Sequence, residues 1–181
     1  MPFRIITGLF ATLLMLGAST AVMAAGGHGD GHHGGGHHGG SVDIGQPGQA
    51  GNADRTVKVV MKDNFYDPEK VTVKKGETIR FQIRNEGSLV HEFNIGTRKM
   101  HQGHRGEMMN MVKQGIIQGG ELHHDKMQSH GMKHDDPNSV LLEPGKSAEI
   151  VWEFNSDADL QFACNVPGHY ESGMVGDIDM K

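Results

Sequence analysis

Three side chains near the C-terminal end stand out for the chemistry they can do together. Cys164, His169 and Met174 lie in Cys164-Asn165-Val166-Pro167-Gly168-His169-Tyr170-Glu171-Ser172-Gly173-Met174, with four residues between each pair. One loop can fold a thiolate, an imidazole and a thioether at that spacing around a single ion. Such donors select soft and borderline transition metals, copper above all. A trigonal copper still lacks a second imidazole, and His91 is the distant candidate, on a stretch where His91, Phe93 and Ile95 alternate to one side. Two imidazoles, a thiolate and a weak axial thioether are the ligands of a blue-copper electron-transfer site, and the order His91, Cys164, His169, Met174 matches it. Taken singly, each has a plainer reading: a packed histidine, a buried structural thiol, an apolar strand methionine. Their combination on one framework points to a metal.

The elements that must position these residues are strands. Val57, Val59 and Met61 share one face, and Ile79-Arg80-Phe81-Gln82-Ile83-Arg84 alternates apolar with polar throughout. Val71-Thr72-Val73 leads into a Lys75-Gly76-Glu77 turn, and a Pro144-Gly145 turn precedes Ala148, Ile150, Trp152 and Phe154, which alternate with Glu149, Val151 and Glu153. Leu160, Phe162 and Cys164 form the next inward face, and Ile178 and Met180 alternate with Asp177 and Asp179 in the last strand. About seven short strands separated by turn signals predict an all-β, antiparallel Greek-key sandwich or barrel, with no long helix required.

Three regions fall outside this rhythm. Met1 to Arg4 give a short positive start, Ile5 to Gly17 an apolar run, and Val22-Met23-Ala24 a small-residue end, so residues 1–24 read as a secretory signal peptide. The apolar run is short for a retained bilayer-spanning helix. Residues 25–54 are rich in Gly and His and predict a flexible tail in which His28, His32, His33, His37 and His38 chelate loosely. The domain itself is expected over 55–181.

The third region, 97–138, interrupts the strands with a His/Met-rich insertion holding Met100, His101, His104, Met108, Met109, Met111, His123, His124, Met127, His130, Met132 and His134. Methionines in such a stretch are more often packing material than ligands, and Met-Met-Asn-Met-Val-Lys can form a short helix. Here few Leu, Val or Phe accompany them, so the insertion is read as collecting copper: thioethers favour the cuprous ion, imidazoles the cupric.

Composition narrows the classes further. The chain has 181 residues, 36% hydrophobic and 22% charged, with 27 Gly, 13 His, 12 Met and one Cys. One ordinary domain with appendages fits that length. A single Cys excludes an internal disulfide framework, a Cys-rich zinc module and iron–sulfur centres that need several thiolates. A net charge of −5 argues against nucleic-acid partners, which call for a basic face. An exported protein with one unpaired Cys must protect its thiol, by burial or by a metal.

With these residues in view, the chain resembles the cupredoxins, the plastocyanin and azurin family of small blue-copper proteins. The resemblance covers Arg55 to Thr97 and Asn138 to Lys181, with Phe65, Pro68, Val73, Gly76, Phe81, Asn85 and His91 in the N-terminal half and the Cys-His-Met loop in the other. It implies an eight-strand β-sandwich, one type 1 copper held by His91, Cys164 and His169 with Met174 axial, and cycling between cuprous and cupric states. Many members have Asn after the first His ligand, whereas Glu92 stands here, with consequences for rigidity, potential or pH response. The insertion and His-rich tail are foreign to ordinary electron shuttles and resemble the periplasmic copper-tolerance cupredoxins of the CopI type.

The expectation is a monomeric periplasmic copper-binding protein of copper homeostasis. It relays or redox-cycles copper, its His/Met regions hold additional weakly bound copper, and it meets a redox or copper-trafficking partner without a stable membrane anchor. The competing expectation is a soluble electron carrier serving a respiratory or nitrogen-oxide reductase chain. An enzyme is not expected. No second His cluster has the spacing of a trinuclear oxidase centre, and a binuclear copper site needs two Cys.

Overall fold

A computed structural model describes residues 42–132 and 136–181. The expected signal peptide, the histidines at 28, 32, 33, 37 and 38, and His134 lie outside the described residues. The first strands are β1 (Gln46–Pro47), β2 (Arg55–Lys62), β3 (Phe65–Asp67), β4 (Lys70–Val73), β5 (Glu77–Asn85) and β6 (His91–Gly96). Helix α1 (Arg98–Lys113), the two-residue strands β7 (Ile117–Gln118) and β8 (Glu121–Leu122), and helix α2 (His124–Ser129) follow. The chain ends with β9 (Ser139–Leu142), β10 (Ser147–Phe154), β11 (Leu160–Ala163) and β12 (Val175–Met180).

The strands form two five-stranded layers, β1-β10-β5-β2-β3 and β4-β12-β11-β6-β9, with β7-β8 as a separate ribbon. This is the expected β-sandwich. Short pieces such as β1 and β3 raise the implied eight strands to ten in the layers. One detail departs from an all-antiparallel sheet: β2 runs parallel to β5 and β4 parallel to β12. The chain leaves the first layer at β4, joins the second, and returns at β5, so the strand it rejoins points the same way.

Alternation places the core where the sequence predicted it. Val59 and Met61 of β2, Ile79, Phe81 and Ile83 of β5, and Ile150, Trp152 and Phe154 of β10 are buried between the layers. They meet Phe93, Ile95, Leu160, Phe162 and Ile178 of the second layer. Phe93 stacks on Phe162 with ring centroids 5.3 Å apart, and Tyr66 meets Phe162 edge-on at 5.0 Å. A rigid aromatic floor thus lies under the strand that carries His91.

Two expectations change. Part of the presumed flexible tail, 42–54, belongs to the fold: β1 pairs with β10, Trp152 donates its indole N–H to the Ile44 carbonyl at 2.9 Å, and the Gly48 amide donates to Val151 at 2.9 Å. The edge of β10 needs partners for its polar backbone, and this segment supplies them despite its Gly and Gln content. The insertion, in turn, holds a 16-residue helix where no long helix was required. Thr97 caps α1 by accepting the Met100 amide at 3.3 Å, and the chain turns out beyond it at Gly115, whose φ is +67°.

The same helix corrects the reading of its methionines. Met108 and Met111 are fully buried, and Ile116, Ile117 and Leu122 are buried in the same cluster. The apolar neighbours missing around these methionines lie a few residues further on and in the sandwich itself. Met127 and Met132 are partly buried against the same core.

Candidate metal centre

His91 opens β6 and is held from behind. Asp63, in the turn between β2 and β3, accepts the Ser88 amide at 3.0 Å, the Ser88 hydroxyl at 2.6 Å and the Leu89 amide at 3.3 Å. Those bonds, the Ser88 hydroxyl first, outweigh its slight burial and hold the carboxyl down to about 2. Its Oδ1 lies 2.9 Å from His91 Nε2. A proton on Nε2 then donates to Asp63 and leaves the Nδ1 lone pair facing the interior. Asn85 shapes the intervening loop, donating to the Leu89 and Leu142 carbonyls at 2.8 Å each and accepting the Gly87 amide at 2.9 Å. A Cβ at Gly87 would sit 2.7 Å from His91 Nε2, so the contact requires glycine there.

Cys164 follows β11 and is fully buried. Its sulfur accepts the Glu92 amide at 3.3 Å, and its own amide donates to the Met174 carbonyl at 3.1 Å. The Met174 amide donates to the His169 carbonyl at 3.0 Å, and the His169 amide to Val166 at 3.0 Å. Gly168 (φ +89°) and Gly173 (φ +98°) take the left-handed turns this tight loop needs. Met174 is itself fully buried, tied through its backbone to both Cys164 and His169.

The loop brings the two predicted imidazoles and the thiol together. His169 Nδ1 lies 3.2 Å from His91 Nδ1 and 3.3 Å from Cys164 Sγ, and Sγ lies 4.0 Å from His91 Nδ1. Atoms bound to one ion at roughly 2.0–2.3 Å must lie within about 4.5 Å of one another, a condition all three pairs meet. Burial lowers both imidazole pKa values, and His91 lowers that of His169 further, so both rings are neutral and present lone pairs. Burial pushes the Cys164 thiol up to about 12, against the smaller pull of the Glu92 amide. A cation entering here displaces that one proton and becomes the partner the buried thiolate lacks. The donor set therefore fits a soft or borderline metal.

The other sequence candidates are dispersed. His104 Nε2 contacts Glu92 Oε1 at 2.9 Å and its Nδ1 contacts Glu107 at 3.1 Å, while buried His101 lies with Nδ1 3.3 Å from the Asn165 amide nitrogen. His123 contacts Gln118 at 3.2 Å. Met100, Met109, His124 and His130 are exposed. Among the described residues only His91, Cys164 and His169 form a group of three or more convergent His, Cys or acidic donors. Sequence reasoning missed Asp63 and Asn165, whose contacts span 28 and 73 residues along the chain.

Comparisons with known proteins identify what the chain is similar to. A family model described as a cupredoxin-like domain matches residues 42–116. The copper-resistant cuproprotein CopI of Pseudomonas aeruginosa is 46% identical over 150 residues, covering 76% of this chain and 82% of that protein. CopI of Rubrivivax gelatinosus is 38% identical over 180 residues and covers 98% of both. Among solved structures, reduced auracyanin from Roseiflexus castenholzii superimposes with a TM-score of 0.52 at 23% identity, covering 71% of this chain and 98% of its own. Auracyanin B superimposes at 0.55 and 16% identity, covering 76% and 96%. These structural likenesses speak to the fold.

Proposed function

Because this chain belongs to the CopI family of copper-resistance cuproproteins, with the cupredoxin fold, we propose that it is a periplasmic copper-binding protein of copper resistance. His91, Cys164 and His169 would hold one copper, and Met174, buried in the same loop, would supply a thioether. The observation that carries this reading is the meeting of two neutral imidazoles and one buried thiol at separations of 3.2, 3.3 and 4.0 Å. Copper bound there supplies a one-electron couple.

The chain's own residues do the rest. Asp63 fixes the tautomer and plane of His91, the Glu92 amide donates to the sulfur, and the Met174 and His169 backbone bonds fix the loop. Donors held this firmly keep their places in both oxidation states, so little reorganisation accompanies electron transfer. Burial of Cys164 excludes water and oxidants from the thiolate. His169 is half-buried, and its outer edge is the electron port. The site passes electrons or copper and turns over no substrate. Exposed Met100, Met109, His124 and His130, with the N-terminal histidines, supply weak additional sites. Residues 1–24 act as the export signal.

The test is growth across a copper series. A strain lacking this gene is expected to be copper-hypersensitive, with growth restored by the wild-type chain and not by Cys164→Ala. Rescue by Cys164→Ala would move the work to the exposed His and Met residues. Normal growth of the deletion strain at every copper level would overturn the resistance reading.

A further inference from the structure

Glu92 is a carboxylate with no exposed surface, a placement that is costly unless its charge is met by donors. Donors among the described residues meet it. Its Oε1 accepts from Asn94 at 3.2 Å and Ser139 at 2.8 Å and contacts His104 Nε2 at 2.9 Å, while Oε2 accepts the Asn165 amide at 3.0 Å and its side-chain nitrogen at 2.8 Å. The backbone N–H of the same residue donates to Cys164 Sγ. One side chain thus joins β6, β9, the residue after the cysteine, and the inserted helix.

The helix contributes through His104. That ring is mostly buried, with a carboxylate at each nitrogen, Glu92 at Nε2 and Glu107 at Nδ1. Burial opposes a charge there, but the hydrogen bond and charge of Glu92, with those of Glu107, outweigh it and raise the histidine's pKa. His101, one turn earlier on the same face, meets the Asn165 side chain from the helix side. Two of the insertion's histidines therefore end on the polar network behind the copper loop, away from solvent where a collecting ligand belongs.

We propose that His104 is a positioning residue of the metal centre: through Glu92 it fixes Asn165 and the start of the Cys164–Met174 loop, making the insertion a structural part of the site. This rests on the reading that His91, Cys164 and His169 hold the metal. It goes beyond that reading by giving a copper-tuning role to a segment whose composition suggests collection.

The test compares the wild-type chain with His104→Ala, His104→Gln and, as a surface control, Met109→Ala. In metal-free protein, the Asn165 amide of His104→Ala should exchange hydrogen at least tenfold faster than in wild type, while amides of β2, β5 and β10 keep their rates. His104→Gln, which retains a donor for Glu92 Oε1, should restore Asn165 protection. In copper-loaded protein, His104→Ala should leave one copper per chain but shift the reduction potential, because the Glu92 and Asn165 side chains behind the copper loop lose their anchor on the helix. Met109→Ala should change neither quantity. An Asn165 amide exchanging as in wild type, or an unmoved potential, would overturn the proposal. Failure of the wild-type chain to bind copper would overturn the metal reading instead and leave the exchange comparison intact.

Discussion

Replacing Cys164 with serine is expected to weaken copper binding by more than the roughly 10–100-fold that loss of an outer-shell partner costs, and to abolish the thiolate-to-copper visible absorption. The thiolate is the only anionic donor among the three that converge, since both imidazoles are neutral. Its loss leaves two imidazole rings, a set with no charge to balance the ion. The fold should survive, because a serine hydroxyl can still accept the Glu92 amide that now donates to Sγ at 3.3 Å. Competition against a chelator of known affinity measures the first effect, and thermal unfolding of the metal-free protein checks the second. A variant that binds copper as tightly as wild type would show that the ion sits elsewhere.

Met108→Ala is expected to destabilise the metal-free chain by about 2–5 kcal/mol, the range for truncating a buried Leu, Ile or Met side chain. Met108 is fully buried in the same cluster as Met111, Ile116, Ile117 and Leu122, and truncation leaves a cavity that the sandwich fills only in part. The neighbouring Met109 is 40% exposed, so Met109→Ala should stay within about 0.5 kcal/mol of wild type. Urea unfolding of the two variants side by side measures the difference. Equal stabilities would mean that the inserted helix is not anchored where the structure places it. For the same reason, excising 97–138 is a poor probe of copper collection: it removes five buried apolar side chains along with the exposed ligands.

What could be read from the chain depended on how local each signal was. Val59, Ile79, Phe81, Ile83, Ile150, Trp152 and Phe154 announced the two layers because alternation repeats within a few residues and survives in the folded burial pattern. The meeting of His91, Cys164 and His169 was equally legible: Cys164 and His169 lie in one loop, and His91 heads a strand of obvious period. Of helix α1 only the Met108–Lys113 end was legible, because Gly103 and Gly106 weaken its propensity and its buried face is written in His101, Met108 and Met111, residues that read as ligands. Asp63 and the partners of Glu92 were hidden for another reason. Their contacts join segments far apart in the chain, and no local window carries such pairings. The ordered stretch from Val42 to Asp54 failed similarly, since Gly and Gln predict freedom until the bare edge of β10 is known.

The most direct test of the account is a copper titration of the purified chain, followed by visible absorption and by metal analysis after desalting. The account predicts an intense thiolate-to-copper band that grows linearly and saturates at one equivalent, with any further copper adding no band and washing off more readily. Copper binding with no such band, or a band that persists unchanged in Cys164→Ser, would contradict it.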